Sequence, residues 1–463
     1  MYTLSSKLKL TAIICMIVGA IGLIYGFIAA PDSVEEVREM MASHGEHDAE
    51  PHQEVVELDE EGIENATDHN FSKEVEDAGY EEDLEMDHEE AASHEDEHFE
   101  HLLHQLQNKP WAAVYVAAFF FFMISLGTLA FYAIQYAAQA GWSPVLFRVM
   151  EGISAYLLPG GIIMFVLLVL SGLHLNHLFI WMDPEVVATD EIIQNKSSYL
   201  NVPFFLIRAA IYLGGWIFFG YLLRRNSLRH DEANDNRWFK TNFKLAAGFL
   251  VFFIVTESMM SWDWIMSVDP HWFSTLFGWY VFASMFVSGI TTIALITIYL
   301  KSRGYLTFVN NSHIHDLAKF MFGISIFWTY LWFSQFMLIW YSNIPEEVVY
   351  YITRMEDYNL PFFGMVAINF LFPVLVLMNS DYKRVNWFVV MTGIVVLIGH
   401  YLDIYVMIMP ATVGESWFIG IPEISAVLFF GGLFTFVVFN ALTKAPLLVK
   451  RNPFLKESEN YHY

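Results

Sequence analysis

Long apolar runs separated by short polar stretches dominate the pattern of the chain. A bilayer core about 30 Å thick needs about 20 apolar residues for each crossing helix. Ten runs are long enough, and they cover residues 10–30, 111–138, 152–171, 203–222, 245–265, 272–300, 317–341, 361–379, 386–409 and 420–442. The pattern therefore predicts an all-α integral membrane protein with ten transmembrane helices, which we number spans 1 to 10.

The first apolar run follows Lys7 and Lys9 and raises the question of a signal peptide. A signal peptide has an apolar region of about 7–15 residues followed by a cleavage site with small residues. The run here is longer and ends at Ala30-Pro31, which is a poor cleavage site. We predict that residues 1–30 remain as a membrane anchor helix.

Basic residues are distributed unevenly between the loops. With ten spans, the segments on the side of the two termini carry 18 Lys and Arg, and the opposite loops carry 5. Loops rich in Lys and Arg face the cytoplasm. The count predicts that both termini, including the tail 446–463, are cytoplasmic and that the long loop between spans 1 and 2 is periplasmic.

Composition separates this loop from the membrane domain. Only 16% of the residues are charged, against about 25% in soluble domains, yet the net charge is −26. Residues 32–108 hold 28 acidic and 2 basic residues, so the rest of the chain is neutral. Nucleic-acid binding, which needs a basic surface, is excluded.

The acidic loop 31–108 also contains nine of the 17 histidines and reads as largely disordered. Three roles stay open for it: a solvated tether, a landing surface for a cationic partner such as a cytochrome c, or weak metal capture. Helical spacing of Phe99, Leu102 and Leu106 predicts that the second span extends outward from about Glu81. The remaining domain, 109–445, is the membrane body.

Cysteine and histidine usage limits the redox chemistry of the chain. Cys15 is the only cysteine, which excludes an internal disulfide, a four-cysteine iron–sulfur site and a CxxCH haem attachment. His400 is the only histidine well inside a span, and this disfavours a transmembrane haem. No covalently bound cofactor and no metal site are expected in this chain.

Ionisable side chains inside a bilayer cost several kcal/mol and are functional candidates. Eight such residues are candidates for a proton path: Glu151, Arg208, Glu257, Asp263, Asp316, Lys319, His400 and Asp403. His400 and Asp403 share a helical face, where they either exchange a proton or form a structural hydrogen bond. Arg208 is expected to pair with Glu257 on the next span. Five of the eight fall at similar depth in the outer halves of their spans, which favours a shared polar cavity.

Two stretches allow a more specific comparison. Residues 261–280 read SWDWIMSVDPHWFSTLFGWY, and residues 313–319 read HIHDLAK before a span that contains Trp328 and Gln335. Both resemble the polysulfide-reductase-like (NrfD-type) membrane subunits of bacterial alternative complex III, a quinol:cytochrome c oxidoreductase. Residues 199–208 and 399–405 fit the same pattern. The resemblance covers about 110 to 445, and of the two such subunits this chain is more similar to the second.

The resemblance implies two four-helix bundles, spans 2–5 and 6–9, flanked by spans 1 and 10 in the bacterial inner membrane. It implies a sister NrfD-type quinol-binding subunit, a periplasmic iron–sulfur and molybdopterin-like subunit, c-type cytochrome subunits and a terminal oxidase as partners, besides lipids. Residues Asp263, Asp269, His271 and Trp272 form the expected partner-docking motif.

The sister subunit places a histidine and a carboxylate beside the quinone in its first bundle. Here Tyr115–Ala137 contains no acidic, basic or histidine side chain. Quinone or quinol binding by this chain therefore stays open, and the implied role is assembly and proton conduction. A stand-alone ion or solute transporter and a purely structural scaffold subunit remain as alternatives.

Overall fold

A computed structural model describes residues 1–45, 82–415 and 417–462. Of the acidic loop 31–108, for which disorder was predicted, residues 46–81 lie outside these ranges. The described residues are largely helical and contain no strand, which confirms the all-α class.

Ten helices of the described chain are long and apolar enough to cross a membrane, so the protein is a multi-pass membrane protein. They are Ser6–Ile28, Leu102–Ala137, Pro144–Gly172, Val202–Glu232, Arg237–Val268, Phe277–Ser302, Asn311–Ser342, Asn359–Leu377, Asn386–Val413 and Ile421–Leu442. Because the number of crossings is even, both termini lie on one side, which we call the terminal side. The opposite side is called the distal side.

The chain comprises two compact units. One comprises Met1–Ala29 with Asn108–Tyr463, and the other comprises Ala30–Gln107. The helix that contains span 2 is continuous over Glu82–Ala137, which confirms the predicted outward extension. Short helices outside the spans are Val34–Gly45, Ile180–Met182, Pro184–Thr189, Glu191–Lys196, Pro345–Glu356, Tyr382–Arg384 and Leu455–Glu459, while the 3₁₀ turn Met266–Val268 ends span 5.

Two spans are interrupted near a proline, Pro159 in span 3 and Pro373 in span 8. Span 3 consists of a 3₁₀ turn, Pro144–Leu146, and two helices, Phe147–Ser154 and Leu157–Gly172. Span 8 consists of Asn359–Val366, a π-helical stretch Ala367–Leu371 and Phe372–Leu377. Proline lacks the N–H that a continuous helix needs, and π-bulges are frequent at functional sites.

The spans pack as two groups of four with a flanking pair. Span 4 packs on spans 3 and 5, span 6 packs on spans 7 and 9, and span 1 packs along span 10. Spans 2 and 6 are the most buried. They meet where Gly127 and Gly289 allow the two backbones to approach each other closely. Each bundle thus has its own interior in which polar side chains can lie.

Candidate functional site

Asp403 is the centre of a buried polar cluster in the second bundle. Tyr280 donates a hydrogen bond to its carboxylate from span 6, and Trp328 Nε1 donates to Oδ2 from span 7 at 2.8 Å. His400 Nδ1 lies 3.4 Å from the same oxygen and 3.0 Å from Ser284 Oγ. Asp403 and His400 are fully buried. The carboxylate thus accepts hydrogen bonds from Tyr280 and Trp328 and has the imidazole of His400 beside it. A proton can be held or passed in such an arrangement.

Polar side chains continue from this cluster toward the terminal side. They are buried, and within the described part of the chain they have polar atoms without a hydrogen-bond partner: His400 Nε2, Ser325 Oγ, Asn369 Oδ1 and Nδ2, Thr291 Oγ1, Thr392 Oγ1 and Thr297 Oγ1. Buried polar atoms are rarely left unsatisfied, and water molecules commonly bind to such groups. Asn369 belongs to the π-helical stretch of span 8. Spans 6 to 9 thus place hydrogen-bonding groups at several depths in the interior of the second bundle.

A second cluster surrounds Asp316 near the terminal end of span 7. Lys319 Nζ lies 2.6 Å from Asp316 Oδ1, and Tyr461 of the C-terminal tail donates a hydrogen bond to Oδ2 at 2.6 Å. His315 Nδ1 lies 3.6 Å from Oδ1. The twelve residues from Asp316 to Trp328 correspond to about 18 Å of helix. The two clusters therefore lie at different depths of the same bundle.

The first bundle contains a buried ion pair that the sequence assigned differently. Arg208 donates to both oxygens of Asp263, from Nε at 2.8 Å and from Nη2 at 2.9 Å, and Tyr212 donates to Oδ2 at 3.1 Å. The expected pairing of Arg208 with Glu257 is wrong, because the guanidinium of Arg208 forms a bidentate pair with the carboxylate of Asp263 instead. Glu257 is also buried, and among the described residues its Oε1 has no hydrogen-bond partner.

Glu151 is bound at the terminal end of span 3. Arg148 Nη1 donates to its Oε2 at 2.5 Å and Tyr132 donates to Oε1 at 2.7 Å, while Arg148 Nη2 also binds Asp231 at 2.5 Å. Arg224 donates to the Glu151 carbonyl at 3.1 Å. Glu151 thus resembles Asp316 in position, since both acids lie at the start of the second helix of a bundle.

Aromatic rings separate the two polar clusters of the first bundle. Trp216 contacts Phe122, Trp264 and Tyr212 at centroid distances of 6.1, 6.2 and 6.0 Å. Trp216 and Trp264 are fully buried. The middle of the first bundle is therefore filled by rings, whereas hydroxyl and amide groups occupy the middle of the second.

The structure divides the eight candidates among separate clusters. Arg208 and Asp263 form one, His400 and Asp403 another, Asp316 and Lys319 a third, and Glu151 a fourth. Glu257 joins none of these pairs. The five groups expected around one shared cavity are thus distributed over two bundles.

The loop between spans 5 and 6 contains the expected docking motif. Asp263 is fully buried and Trp272 stacks on Tyr350 at a centroid distance of 3.8 Å, so neither side chain is available on the surface of this chain. His271 is exposed and Asp269 is partly exposed. Only these last two can contact a partner directly.

The short helix Glu191–Lys196 and the residue that caps it, Asp190, bind this loop on the distal side. His271 Nε2 lies 2.5 Å from Asp190 Oδ2, and Lys196 Nζ donates to the Pro270 carbonyl at 2.5 Å. The backbone N–H of Ile193 and then the His271 side chain lower the pKa of Asp190, which keeps the carboxylate charged. Partial burial lowers the pKa of Lys196.

No protein-family model matches the chain, and no curated protein matches it significantly.

Several residues of the site were not assigned by sequence reasoning. Tyr280 and Trp328 lie in the recognised stretches, but nothing in their spacing indicates that both bind Asp403. Tyr461 lies in a tail without apolar periodicity, and no sequence signal relates it to Asp316. Glu423 was not among the eight candidates either, although it is an acid inside the last apolar run, 420–442. Within the described residues, no three His, Cys, Asp or Glu side chains form a metal-binding group.

Proposed function

We propose that this chain is the second NrfD-type membrane subunit, the F subunit, of an alternative complex III, and that its second bundle conducts protons. The observation that carries the proton-conducting role is the set of buried polar atoms without a hydrogen-bond partner, within the described chain, on spans 6 to 9, which also hold the Asp403 and Asp316 clusters. Membership in the complex rests on the resemblance of residues 261–280 and 313–343 to that family.

In this proposal the complex lies in the bacterial inner membrane with both termini cytoplasmic and the acidic loop periplasmic. Quinol is oxidised in the sister NrfD-type subunit, and electrons pass through iron–sulfur clusters and c-type haems of periplasmic subunits to a cytochrome or a terminal oxidase. This chain supports their assembly and carries no redox centre of its own.

The residues would act in a fixed order. Asp316, with Lys319 and His315 nearby, exchanges protons on the terminal side, and water along Thr392, Ser325 and Asn369 carries them between the two clusters. Asp403 and His400 then hold the proton near the distal side, where Tyr280 and Trp328 orient the carboxylate. The Arg208–Asp263 ion pair of the first bundle holds spans 4 and 5 together, and in this way it supports assembly.

The test uses the whole complex, purified through a tag on this chain and reconstituted into liposomes. We expect multi-haem and iron–sulfur subunits to co-purify with it. Thr392→Val removes one of the buried hydroxyls at almost constant volume, and Asp403→Asn removes the titrating carboxylate. Both are expected to leave electron transfer from quinol to cytochrome c intact and to lower proton translocation per electron at least severalfold.

Glu346→Gln is the matched control, because Glu346 is exposed on the distal side and is expected to change neither rate. Unchanged proton translocation in both Thr392→Val and Asp403→Asn would leave only the scaffold role. Absence of haem and iron–sulfur subunits from the preparation, together with solute uptake by the chain alone, would favour a transporter instead.

A further inference from the structure

Arg354 is a buried cation at the distal end of the second bundle. It lies on the short helix Pro345–Glu356, which connects spans 7 and 8, and it is only 3% exposed. Its Nη1 donates to the Tyr350 carbonyl at 2.8 Å, and its Nη2 donates to the Met407 carbonyl at 3.4 Å. Within the described chain, its Nε has no hydrogen-bond partner and the guanidinium forms no ion pair.

The lack of an acidic partner distinguishes Arg354 from the buried arginines of the first bundle. Arg148 pairs with Glu151, and Arg208 pairs with Asp263. An arginine does not lose its proton in a protein, so the charge of Arg354 is permanent. Two backbone carbonyls compensate only part of the cost of burying it. An apolar side chain of similar size would serve the packing at this position better.

The cation lies beyond Asp403 in the direction of the distal side. Span 9 runs toward that side, and Met407 follows Asp403 by four residues, or about 6 Å along the helix axis. Tyr350, which Arg354 contacts, interacts electrostatically with Asp403 and with Tyr280. Arg354 is therefore a fixed positive charge between the carboxylate cluster and the distal end of the bundle.

Aromatic rings close the same end of the bundle. Trp272 stacks on the Tyr350 ring at a centroid distance of 3.8 Å, and the guanidinium carbon of Arg354 lies 3.3 Å from the centroid of that ring. Two groups so close to one ring centroid must occupy its opposite faces. Phe277 contacts Trp272 at 5.6 Å and Tyr280 at 6.1 Å, which connects these rings to the carboxylate cluster. The layer thus combines packed rings with one guanidinium.

Other charges act on this layer without pairing with Arg354. Burial raises the pKa of Tyr350, Arg354 lowers it, and Asp269 and Asp403 raise it. Asp357 follows at the end of the same short helix. Within the described chain none of these acids forms an ion pair with the guanidinium, so the positive charge at the layer is not neutralised locally.

A fixed cation opposes the passage of protons. A proton that moves between hydrogen-bonding groups carries positive charge, and a cation beside its path repels it. Two unit charges a few ångströms apart in a protein interior interact strongly enough to change a rate by about tenfold or more. Arginine side chains exclude protons and cations from pores in this way.

We propose that Arg354 is the electrostatic barrier of the proton path and keeps passive proton flow between Asp403 and the distal side slow. The inference rests on the proposed proton conduction by the second bundle and adds how that path is kept from leaking. Protons then cross the layer only when electron transfer drives them. Arg354 acts through its charge and binds no substrate, so it is a residue that determines selectivity.

The test measures passive proton flow through the full chain in liposomes, without an electron donor. A potassium diffusion potential set with valinomycin drives the protons, and a pH-sensitive dye inside the vesicles reports them. We expect Arg354→Gln, which removes the charge and keeps an amide donor, to increase the flow about tenfold or more over the wild type. Arg354→Lys keeps the charge and should remain within about twofold of the wild type. Arg303→Gln is the control, because Arg303 is exposed at the terminal end of the same bundle.

A double variant identifies the route of the leak. Adding Asp403→Asn to Arg354→Gln should return the flow to the wild-type level, because the protons pass through Asp403. Wild-type flow in Arg354→Gln, an equal leak in Arg354→Lys, or a leak that persists in the double variant would each overturn the proposal. Arg354→Met is the second neutral variant if Arg354→Gln does not fold.

The outcome for Arg354 is separable from the outcome for the proposed function. Proton translocation per electron is measured on Asp403→Asn with Arg354 in place. A loss of translocation there, together with wild-type flow in Arg354→Gln, would refute the barrier and leave proton conduction by the second bundle standing. Unchanged translocation in Asp403→Asn and Thr392→Val would refute the conduction itself.

Discussion

Buried acids of this chain differ in what compensates them. Asp263 and Glu151 each lie against an arginine, whereas Asp403 is bound by Tyr280 and Trp328 and has the imidazole of His400 beside it. A carboxylate paired with arginine remains charged, and one that accepts only neutral donors is better able to take up a proton. The compensation of these acids therefore differs between the bundles, with arginine in the first and neutral donors and an imidazole around Asp403 in the second.

The Arg208–Asp263 pair leads to a prediction about stability. Asp263→Asn should lower the free energy of unfolding by about 3–5 kcal/mol, because it leaves the guanidinium buried and uncompensated. Glu257→Gln is the matched comparison on the same span and should cost less than about 1 kcal/mol, because no cation pairs with it. Unfolding of both variants in bicelles measures the difference. Equal losses would show that the ion pair does not determine the stability of the first bundle.

The identity of these residues as buried charges could be predicted from the sequence, because hydropathy alone places them inside apolar runs. Their partners could not. Glu257 and Asp263 lie on the same span six residues apart, and only the packing of spans 4 and 5 decides which of them meets Arg208. The contacts of Tyr280 and Trp328 with Asp403 likewise depend on three helices meeting at one depth.

At the scale of the helices, apolar runs predicted all ten spans but underestimated some of their ends. Span 7 was expected from residue 317 and begins at Asn311, where the Asn310 side chain accepts hydrogen bonds from the backbone N–H groups of Ser312 and His313. Span 4 was expected to end at residue 222 and continues to Glu232. Polar helix ends outside the bilayer core do not contribute to hydropathy, so caps and tertiary contacts determine them.

The contact between spans 2 and 6 allows a prediction at this scale. A Cβ added at Gly289 would lie 2.7 Å from the Thr128 nitrogen, and one added at Gly127 would lie 2.4 Å from the Met285 carbonyl oxygen. Backbone atoms cannot move aside as a side chain can. We expect Gly289→Ala and Gly127→Ala to lower the free energy of unfolding by about 1–3 kcal/mol each.

Gly364→Ala on span 8 is the control, since a Cβ there meets nothing within 4 Å among the described residues. Thermal unfolding in detergent compares the three variants. If all three melt at the same temperature, the close approach of the two central helices is not a source of stability.

For the molecule as a whole, the C-terminal tail joins several spans at the terminal side. Ser458 donates a hydrogen bond to the Trp142 carbonyl at 2.6 Å and accepts one from the Val145 N–H at 3.3 Å, while Tyr461 binds Asp316. The tail was predicted only as a cytoplasmic extension. Its contacts place it over one of the clusters proposed to exchange protons.

This arrangement predicts how accessible Asp316 is. Tyr461→Phe removes the hydrogen bond to the carboxylate and should increase the rate at which a water-soluble carbodiimide modifies Asp316 by about twofold or more. Deletion of residues 455–463 should increase it further. Peptide mass spectrometry measures the modification. Tyr341→Phe is the control because Tyr341 is 82% exposed, and a rate unchanged in the deletion would show that the tail does not cover Asp316.

Span 1 packs along span 10, where Gly19 leaves room for the backbone of Ser425 and Phe429. The ribosome makes span 1 first and span 10 last, so the first helix inserted must wait for most of the chain before it meets its partner. Contacts between such distant parts of a sequence form late. Closure of this pair thus has to wait until span 10 has been made, and a protein truncated before residue 421 would leave the face of span 1 that contains Gly19 uncovered in the membrane.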